Sequence, residues 1–230
     1  RVTLRTADGE ALADVLVGKT QDFQQEGRSR YFVRDAGDPQ SWLVEGSLPP
    51  VLEETRNWLE TSLMPGIEEG TLRSVTVTHA DGEVVTVRRE SPEDADFTLA
   101  GLDEGEQVES QYSVNAVEQA LRRLSLSEVR AAGGALDEET AVVEARTFDG
   151  VRITARIGAP DPDYEVRLRA DYPADEARRD EAEAEEEGAK LADSLNRRWQ
   201  GRSFTVSQYT LDSLLARRDD LVAPAAEDEQ

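Results

Sequence analysis

The single histidine is the first residue to weigh for catalysis, because the chain has no cysteine and imidazole is the usual general base near neutral pH. His79 stands in VTVTHADGEVVTVRRE, residues 75–90, two residues before an Asp-Gly pair. In a strand, His79 would point to the same face as Val75 and Val77. Nothing nearby resembles the sharp turn that exposes a nucleophilic serine. The pattern favours a hairpin residue over half of a catalytic triad.

A second candidate is ADVLVGKT, residues 13–20, which satisfies a loose phosphate-loop pattern. Phosphate binding by such a loop needs a glycine-rich backbone that curls around the anion and then begins a helix. Here the text before Gly18 is Asp-Val-Leu-Val, which is typical of a strand, and no amphipathic helical pattern follows Lys19. The segment therefore predicts a strand, and no cofactor is expected.

Carboxylates are too numerous for any pair to stand out as an acid and a base, so no catalytic residue is predicted. DPDYE at 161–165 and EDAD at 93–96 could hold calcium weakly. Neither has the spacing of a calcium-binding loop, and both fall where turns are expected. Zinc would find one imidazole and no thiolate. No metal site is predicted.

Three Asp-Gly pairs provide the clearest structural signal. They lie in VTLRTADGEALADVLVG, in the stretch around His79, and in VVEARTFDGVRITARIG, with β-branched residues on both sides of each pair. Asp-Gly is favoured where a tight hairpin needs a positive φ angle. We therefore predict three equivalent turns, whose structural residues are Asp8, Gly9, Asp81, Gly82, Asp149 and Gly150.

Each hairpin is followed by further strand-like text and then by a helix-like segment, which indicates a repeated unit. The predicted fold class is α+β, with repeated β-hairpin, strand and helix units and mainly antiparallel sheets that are each covered by helices. The predicted boundaries are 1–70 for the first unit, 71–130 for the second, and 131–222 for the third with a terminal strand and helix. A disordered tail is expected at 223–230.

Apolar residues at helical spacing predict the covering helices. A third helix, at 175–199, begins with an almost wholly charged half. Leu211, Leu214 and Leu215 of the last helix are a candidate partner surface, provided that they are not fully buried. The predicted apolar faces are Val51, Thr55, Trp58, Leu59 and Leu63; Val114, Val117, Leu121 and Leu124; Leu191, Leu195 and Trp199; and Leu211, Leu214, Leu215 and Leu221.

Charge narrows the range of partners. The chain has 49 acidic and 26 basic residues and a formal net charge of −23. Such a surface repels phosphate backbones and anionic headgroups, so neither nucleic acid binding nor direct binding to lipid surfaces is expected. No apolar run is long enough to span a bilayer. The chain begins within an apparent strand and without Met, which predicts that an N-terminal segment with any signal or anchor has been removed.

The ordered text RVTLRTADGEALADVLVGK, YFVRDAGDPQSWLVEG, NWLETSL, SVTVTHADGE and DFTLAG resembles the bacterial family called domain of unknown function 4340. The likeness extends from residue 1 to about residue 130 and is weaker at 141–222. It implies an N-terminal membrane anchor, an extracytoplasmic β-rich body, and genes beside an uncharacterised ABC transport system of the gliding-associated type. It implies no catalytic residues.

The expected function is a non-enzymatic accessory or interaction module of such a transport system. The module would be displayed outside the cytoplasmic membrane, anchored to the inner membrane, and bound to membrane or auxiliary subunits of the transporter. The alternative is a carboxylate-dependent hydrolase that acts on an envelope glycan. A cleft with two isolated carboxylates and an exposed tryptophan would favour the enzyme, whereas a shallow surface would favour the module.

Overall fold

The structure is a computed structural model that describes residues 1–25, 28–46, 59–136, 138–173 and 182–224. The chain divides into two compact units, Arg1–Asn57 and Trp58–Gln230. Strands dominate the described residues, and the strand pairings among them are all antiparallel. The predicted antiparallel sheets are therefore present, but the described residues contain fewer helices than the expected covering of every sheet requires.

The first unit is a four-stranded antiparallel sheet in which each strand pairs with its neighbour in sequence. Consecutive strands are joined by short connections, and the first of these contains the Asp8-Gly9 pair. Its strands are β1 (Val2–Arg5), β2 (Ala11–Gln25), β3 (Arg28–Asp35) and β4 (Ser41–Gly46).

Strand register sorts the side chains of this first sheet onto two faces, because directly paired residues point to the same side. On one side the only charged residue in the paired positions of β1, β3 and β4 is Asp35, at the margin. We call this side the apolar face. Its members are Val2, Leu4, Val15, Val17, Tyr31, Val33, Trp42 and Val44. The opposite side is mixed and includes the Arg30–Glu45 ion pair, with 3.3 Å between Nε and Oε2.

The second unit contains the remaining elements. Its strands are β5 (Leu72–His79), β6 (Val84–Arg88), β7 (Thr98–Leu99), β8 (Glu128–Ala131), β9 (Glu139–Thr147), β10 (Arg152–Pro160), β11 (Tyr164–Asp171) and β12 (Arg202–Val206). Its helices are α1 (Gln111–Arg122), α2 (Ala182–Trp199), α3 (Gln208–Asp212) and α4 (Arg218–Leu221).

These eight strands form one sheet in the order β7-β6-β5-β9-β10-β11-β12-β8. The predicted units at 71–130 and 131–222 are therefore not separate. The second hairpin, β5–β6, and the third, β9–β10, join because β5 pairs with β9 along almost its whole length. Pairing satisfies the backbone groups that two isolated hairpins would each leave unpaired at an edge.

The core of the second unit lies on one side of this sheet. Alternate residues of β5, β9, β10 and β11 are buried, as expected for strands with one covered face. Helix α1 packs on β5 and β6, and α2 packs on β11 and β12. The indole Nε1 of Trp199 donates to the carbonyl of Leu63 at 3.0 Å, and the amide of Asn196 binds both backbone groups of Ala170.

Helix α2 approaches the sheet closely at Gly188. A methyl group placed on Gly188 would lie 2.4 Å from Cε2 of Tyr172 and 3.2 Å from the carbonyl oxygen of Asp149. Glycine is therefore the residue whose size fits this contact.

The outward side of the large sheet carries the arginines that alternate along β10 and β11. Three of them pair with neighbouring carboxylates, at 2.5 Å for Arg156 Nε to Glu139, 3.0 Å for Arg167 Nη2 to Glu165 and 2.7 Å for Arg169 Nη2 to Asp171. The Nε of Arg152, in contrast, is buried and has no partner among the described residues. Apart from this atom, the outward side is a solvated, charge-paired face.

The helices differ from the prediction at two places. Residues 59–63 of the first predicted apolar stripe are not helical; Ser62 bridges to Ser125 and Leu63 is buried, while positions 51–58 lie outside the described residues. The last predicted helix is two short helices, α3 and α4. The start of the predicted helix at 175–199 and most of the tail lie outside the described residues. No helix in the described part of the chain is long and apolar enough to cross a bilayer.

Candidate functional site

An arginine lies in the core beside β6, and strand alternation places it there. Val85 and Val87 point inward, and Arg89 continues their parity one residue after the strand ends. Only 5% of Arg89 is exposed. Its Nε donates to the carbonyl of Leu72 at 2.9 Å and its Nη1 donates to the carbonyl of Asp94 at 3.0 Å. A permanent positive charge is therefore held inside the second unit.

The guanidinium of Arg89 also contacts two aromatic rings. Its Cζ lies 4.8 Å from the ring centre of Phe97 and 5.7 Å from that of Phe148, within the range of cation–π attraction. The third nitrogen, Nη2, is buried and has no hydrogen-bond partner among the described residues. A buried donor without a partner is costly, and such groups call for a physical explanation.

Helix α1 faces Arg89 with polar residues that recur every three or four positions. Glu118 and Arg122 form an ion pair with 2.9 Å between Oε1 and Nε, and both side chains are largely buried. Burial raises the pKa of Glu118, and the Arg122 guanidinium opposes this rise. Arg123 ends the same helix and is exposed.

Asn115 fixes the loop that precedes β7. Its Oδ1 accepts from the backbone N–H of Phe97 at 2.9 Å, and its Nδ2 donates to Asp96 at 2.7 Å. Gln111 donates to the carbonyl of Phe97 at 2.8 Å. These bonds hold the Phe97 ring in place over Arg89.

Together these groups surround a cavity of about 100 Å³, which we call the Arg89 cavity. It has room for several water molecules or one small polar group. Buried members form its base, and exposed members such as Glu69 and Arg123 lie at its mouth. Its lining is Glu69, Arg89, Ala95, Phe97, Asn115, Glu118, Gln119, Arg122 and Arg123.

Sequence reasoning missed this site. The usable signal was the alternation in VVTVRRE, residues 84–90, which places Arg89 on the same inward face of the strand as Val85 and Val87. Nothing in the text indicated that α1 would bring Glu118 and Arg122 opposite that arginine, because this contact depends on how the helix packs on the sheet.

The three Asp-Gly pairs form turns with the same geometry. The φ angles of Gly9, Gly82 and Gly150 are 86°, 91° and 88°. In each turn the glycine N–H donates to the carbonyl three residues earlier, and that earlier residue donates its own N–H to the carbonyl one residue after the glycine. This is a three-residue hairpin loop that ends in a left-handed glycine.

His79 occupies the first position of the second turn, where the other two turns have Thr6 and Thr147. The threonine hydroxyls accept the N–H of the residue after the glycine, at 3.0 Å in both turns. In the second turn Asp81 accepts that N–H instead, at 3.1 Å. His79 is buried, and its Nε2 has no partner among the described residues. The imidazole therefore packs as a buried hairpin residue.

This turn is tied to the C-terminal part of the chain. Arg217 donates to Asp81 at 2.8 Å and also contacts Glu83, and the backbone N–H of Arg218 donates to Glu83 at 2.7 Å. Hydrogen bonds from Arg218 and Arg217 lower the pKa of Glu83. The charged residues around His79 thus fasten the start of α4 to the hairpin.

The candidate partner surface of Leu211, Leu214 and Leu215 required that these side chains are not fully buried, and two of the three fail this requirement. Leu211 and Leu214 are fully buried, and Leu215 is half-buried against the same core. Helix α3 packs against α1, and Leu211 and Leu214 belong to the hydrophobic core of the second unit. These leucines are core residues and are not available to a partner.

The other candidate motifs lie in regular structure or turns. Gly18 and Lys19 lie within β2, at an irregularity in its pairing with β3, so no phosphate loop forms. Asp94 accepts from the N–H groups of Glu90 and Ser91, which closes a turn. Residues 161–163 bend between β10 and β11. Among the residues that the structure describes, no three histidine or carboxylate side chains are grouped to hold a metal ion.

Comparison with known proteins supplies one match. The family model described as "Domain of unknown function (DUF4340)" matches residues 1–145, which is more than half of the chain. The match covers the whole first unit and the second unit as far as β9. Comparison with curated proteins and comparison with solved structures gave no match. The chain belongs to the DUF4340 family.

Proposed function

We propose that this protein is a non-enzymatic interaction module of an ABC-type transport complex, displayed outside the cytoplasmic membrane and held there by an anchor that precedes residue 1. The transport partner and the location come from the family resemblance. The observation that carries the interaction role is the apolar face of the first sheet. Of its members, Trp42 is 62% exposed and Leu4 is 59% exposed.

Such a face is unusual in a chain of which 33% of the residues are charged. Isolated exposed apolar residues are common, but a contiguous apolar sheet face marks a contact surface. Among the described residues of the first unit, no element other than the four strands covers this sheet, so it has little apolar burial to stabilise it. The occupant that we assign to the face is an apolar surface of a transporter subunit, since a chain with a net charge of −23 is repelled by anionic lipid.

The hydrolase alternative has one supporting feature, the raised pKa of Glu118, which is typical of a general acid. However, Glu118 is paired with Arg122, and no tryptophan lines the Arg89 cavity. A cavity of about 100 Å³ also has no room for a sugar ring and a second catalytic carboxylate. The geometry of this cavity supports binding over glycan hydrolysis.

The test is affinity purification of the tagged protein, with its native anchor region, from detergent-solubilised membranes of cells that express the whole transport system. We expect the ATPase and membrane subunits to co-purify. Leu4→Gln with Trp42→Gln should abolish this, whereas Val84→Gln, which changes a residue that is 56% exposed in the second unit, should not.

Two outcomes would contradict the proposal. If the variant with both Leu4→Gln and Trp42→Gln still captures transporter subunits as well as the original chain does, the apolar face is not the contact surface. A concentration-dependent dimer that the same pair of substitutions disrupts, without any captured transporter subunit, would assign the face to a second copy of the chain. Light scattering during size-exclusion chromatography distinguishes the two.

A further inference from the structure

We propose that the free edge of β4 pairs with β4 of a second copy of this chain, so that two first sheets join into one antiparallel eight-stranded sheet. Among the described residues β4 bonds only to β3, so one side of its backbone has no strand partner there. Trp42, Leu43 and Val44 of this strand are 62%, 47% and 39% exposed. An exposed apolar edge of this kind is a template for pairing with another strand.

The other described sheet edges carry features that hinder such pairing. Strand β1 has four residues and a register irregularity between Leu4 and Arg5, β7 has two residues, and β8 carries charged side chains. In contrast, β4 has six residues in regular register with β3, without a bulge, a proline or a lysine. Its one charged residue, Glu45, lies near its end. Of the edges that the structure describes, β4 is therefore the least protected against pairing.

The sequence of β4 is complementary to itself in the antiparallel register centred on Leu43. In this register Trp42 of each copy lies opposite Val44 of the other copy. An aromatic side chain opposite a β-branched one is a favourable cross-strand pair, and pairs of the same kind already join β4 to β3. Ser41 lies opposite Glu45, so no like charges face each other. The apolar faces of the two copies then lie on the same side of the joined sheet.

The distribution of charge permits this contact although the whole chain is strongly acidic. The first unit, Arg1–Asn57, contains ten acidic and seven basic residues, so it contributes only −3 to the net charge of −23. The Glu45 carboxylates of the two copies would be about 14 Å apart along the paired strands. This distance exceeds the screening length of about 8 Å at physiological salt. The edge of β4 thus belongs to the part of the chain that repels a second copy least.

The experiment is analytical ultracentrifugation of the 230-residue chain at physiological salt, from about 1 μM to about 0.5 mM protein. We expect a concentration-dependent dimer that is weak, because six residues from each copy bury a small area. Leu43→Lys and Leu43→Glu should each raise the dissociation constant about fivefold or more, because each places like charges opposite one another. An equimolar mixture of the two variants should form a heterodimer.

Val84→Lys and Val84→Glu are the matched controls. They introduce the same charges at a residue that is 56% exposed in the second unit, and they should leave the dissociation constant unchanged. A further measurement needs no variant. Isotope-filtered NMR on a mixture of labelled and unlabelled chains should show contacts between the Trp42 ring of one copy and the Val44 methyl groups of the other. This measurement decides if the Leu43 variants do not fold, as judged by circular dichroism.

The proposal is overturned if the chain remains monomeric over the whole concentration range, or if the Leu43 and Val84 variants dimerise equally well. It is also overturned if the mixed Leu43 variants form no heterodimer, or if no contact links Trp42 to Val44 of another copy. Leu43 lies on the opposite side of the sheet from the apolar face, so its variants leave the proposed transporter contact unchanged. A failed dimer test therefore leaves the transport proposal standing, and a failed capture of transporter subunits leaves the dimer standing.

Discussion

Replacing Gly188 with Ala should destabilise the protein, although the same change in most helices is stabilising. Gly188 lies within α2, where alanine is intrinsically favoured over glycine by about 1 kcal/mol. The added methyl group would lie 2.4 Å from Cε2 of Tyr172, far inside the 3.5–4.0 Å of an ordinary carbon contact. The close approach of helix and sheet therefore opposes the helical preference.

The expected size follows from these two effects. Overpacking a fitted contact costs about 1–3 kcal/mol. The overlap with Tyr172 is deep, and the carbonyl of Asp149 at 3.2 Å limits movement on another side, so the upper end of this range applies. Subtracting about 1 kcal/mol for helix propensity leaves a net loss of about 2 kcal/mol in the free energy of unfolding. For a chain of this size, that lowers Tm by about 4–8 °C.

The measurement is urea unfolding followed by tryptophan fluorescence, because Trp199 is buried at the end of the same helix. Thermal unfolding by circular dichroism gives Tm. Gly133→Ala is the matched control, since nothing lies within 4 Å of the position of its new methyl group and its φ angle is not positive. The control should leave stability unchanged or raise it by a few tenths of a kcal/mol.

A double-mutant cycle with Tyr172→Ala identifies the cause. Once the ring is gone, Gly188→Ala should be close to neutral, because helix propensity favours alanine by about 1 kcal/mol and only the 3.2 Å approach to the carbonyl of Asp149 still opposes it. The reasoning fails if Gly188→Ala raises Tm in the original chain. It also fails if Gly188→Ala destabilises both backgrounds equally, since the clash with Tyr172 would then not be the cause.

Three further predictions concern the turn and the polar groups of the core. Gly82→Val should cost roughly 1 kcal/mol or more in urea unfolding and Gly82→Asn distinctly less, because asparagine tolerates a positive φ angle; equal losses would argue against backbone strain. His79→Leu should be neutral or stabilise the protein by about 1 kcal/mol, because it removes a buried nitrogen that has no partner among the described residues. A clear loss of unfolding free energy in urea would show that the imidazole makes a stabilising contact. Burial raises the pKa of Glu118 above 4.5. Protonated Glu118 therefore contributes to the unfolding free energy at low pH, and this contribution is lost as the pH rises through the folded-state pKa. A carboxyl ¹³C titration with a midpoint at or below 4.5 would contradict this.

The sequence predicted the parts of the fold that depend on neighbouring residues. Asp-Gly between β-branched runs led directly to the hairpins at residues 8–9, 81–82 and 149–150. Hairpins form between adjacent stretches of chain, so a local pattern carries enough information to locate them.

The pairing of β5 with β9 was not predictable in the same way. About sixty residues separate the two strands, and many edges could accept either one. The apolar pattern of Leu211 and Leu214 likewise indicated a helical face but not what it would cover. The Arg89 cavity depends on three separate segments, of which only the inward parity of Arg89 could be read locally.

The two edges of the large sheet have a consequence for how this protein behaves in a crowded solution. At one edge β7 offers two residues for pairing, and at the other β8 offers four, among them Glu128 and Arg130. A strand from another molecule could form few backbone hydrogen bonds with β7, and at β8 it would meet charged side chains. The eight-stranded sheet of the second unit is therefore protected against edge-to-edge pairing with other molecules. Aggregation by intermolecular strand pairing would have to begin elsewhere in the chain.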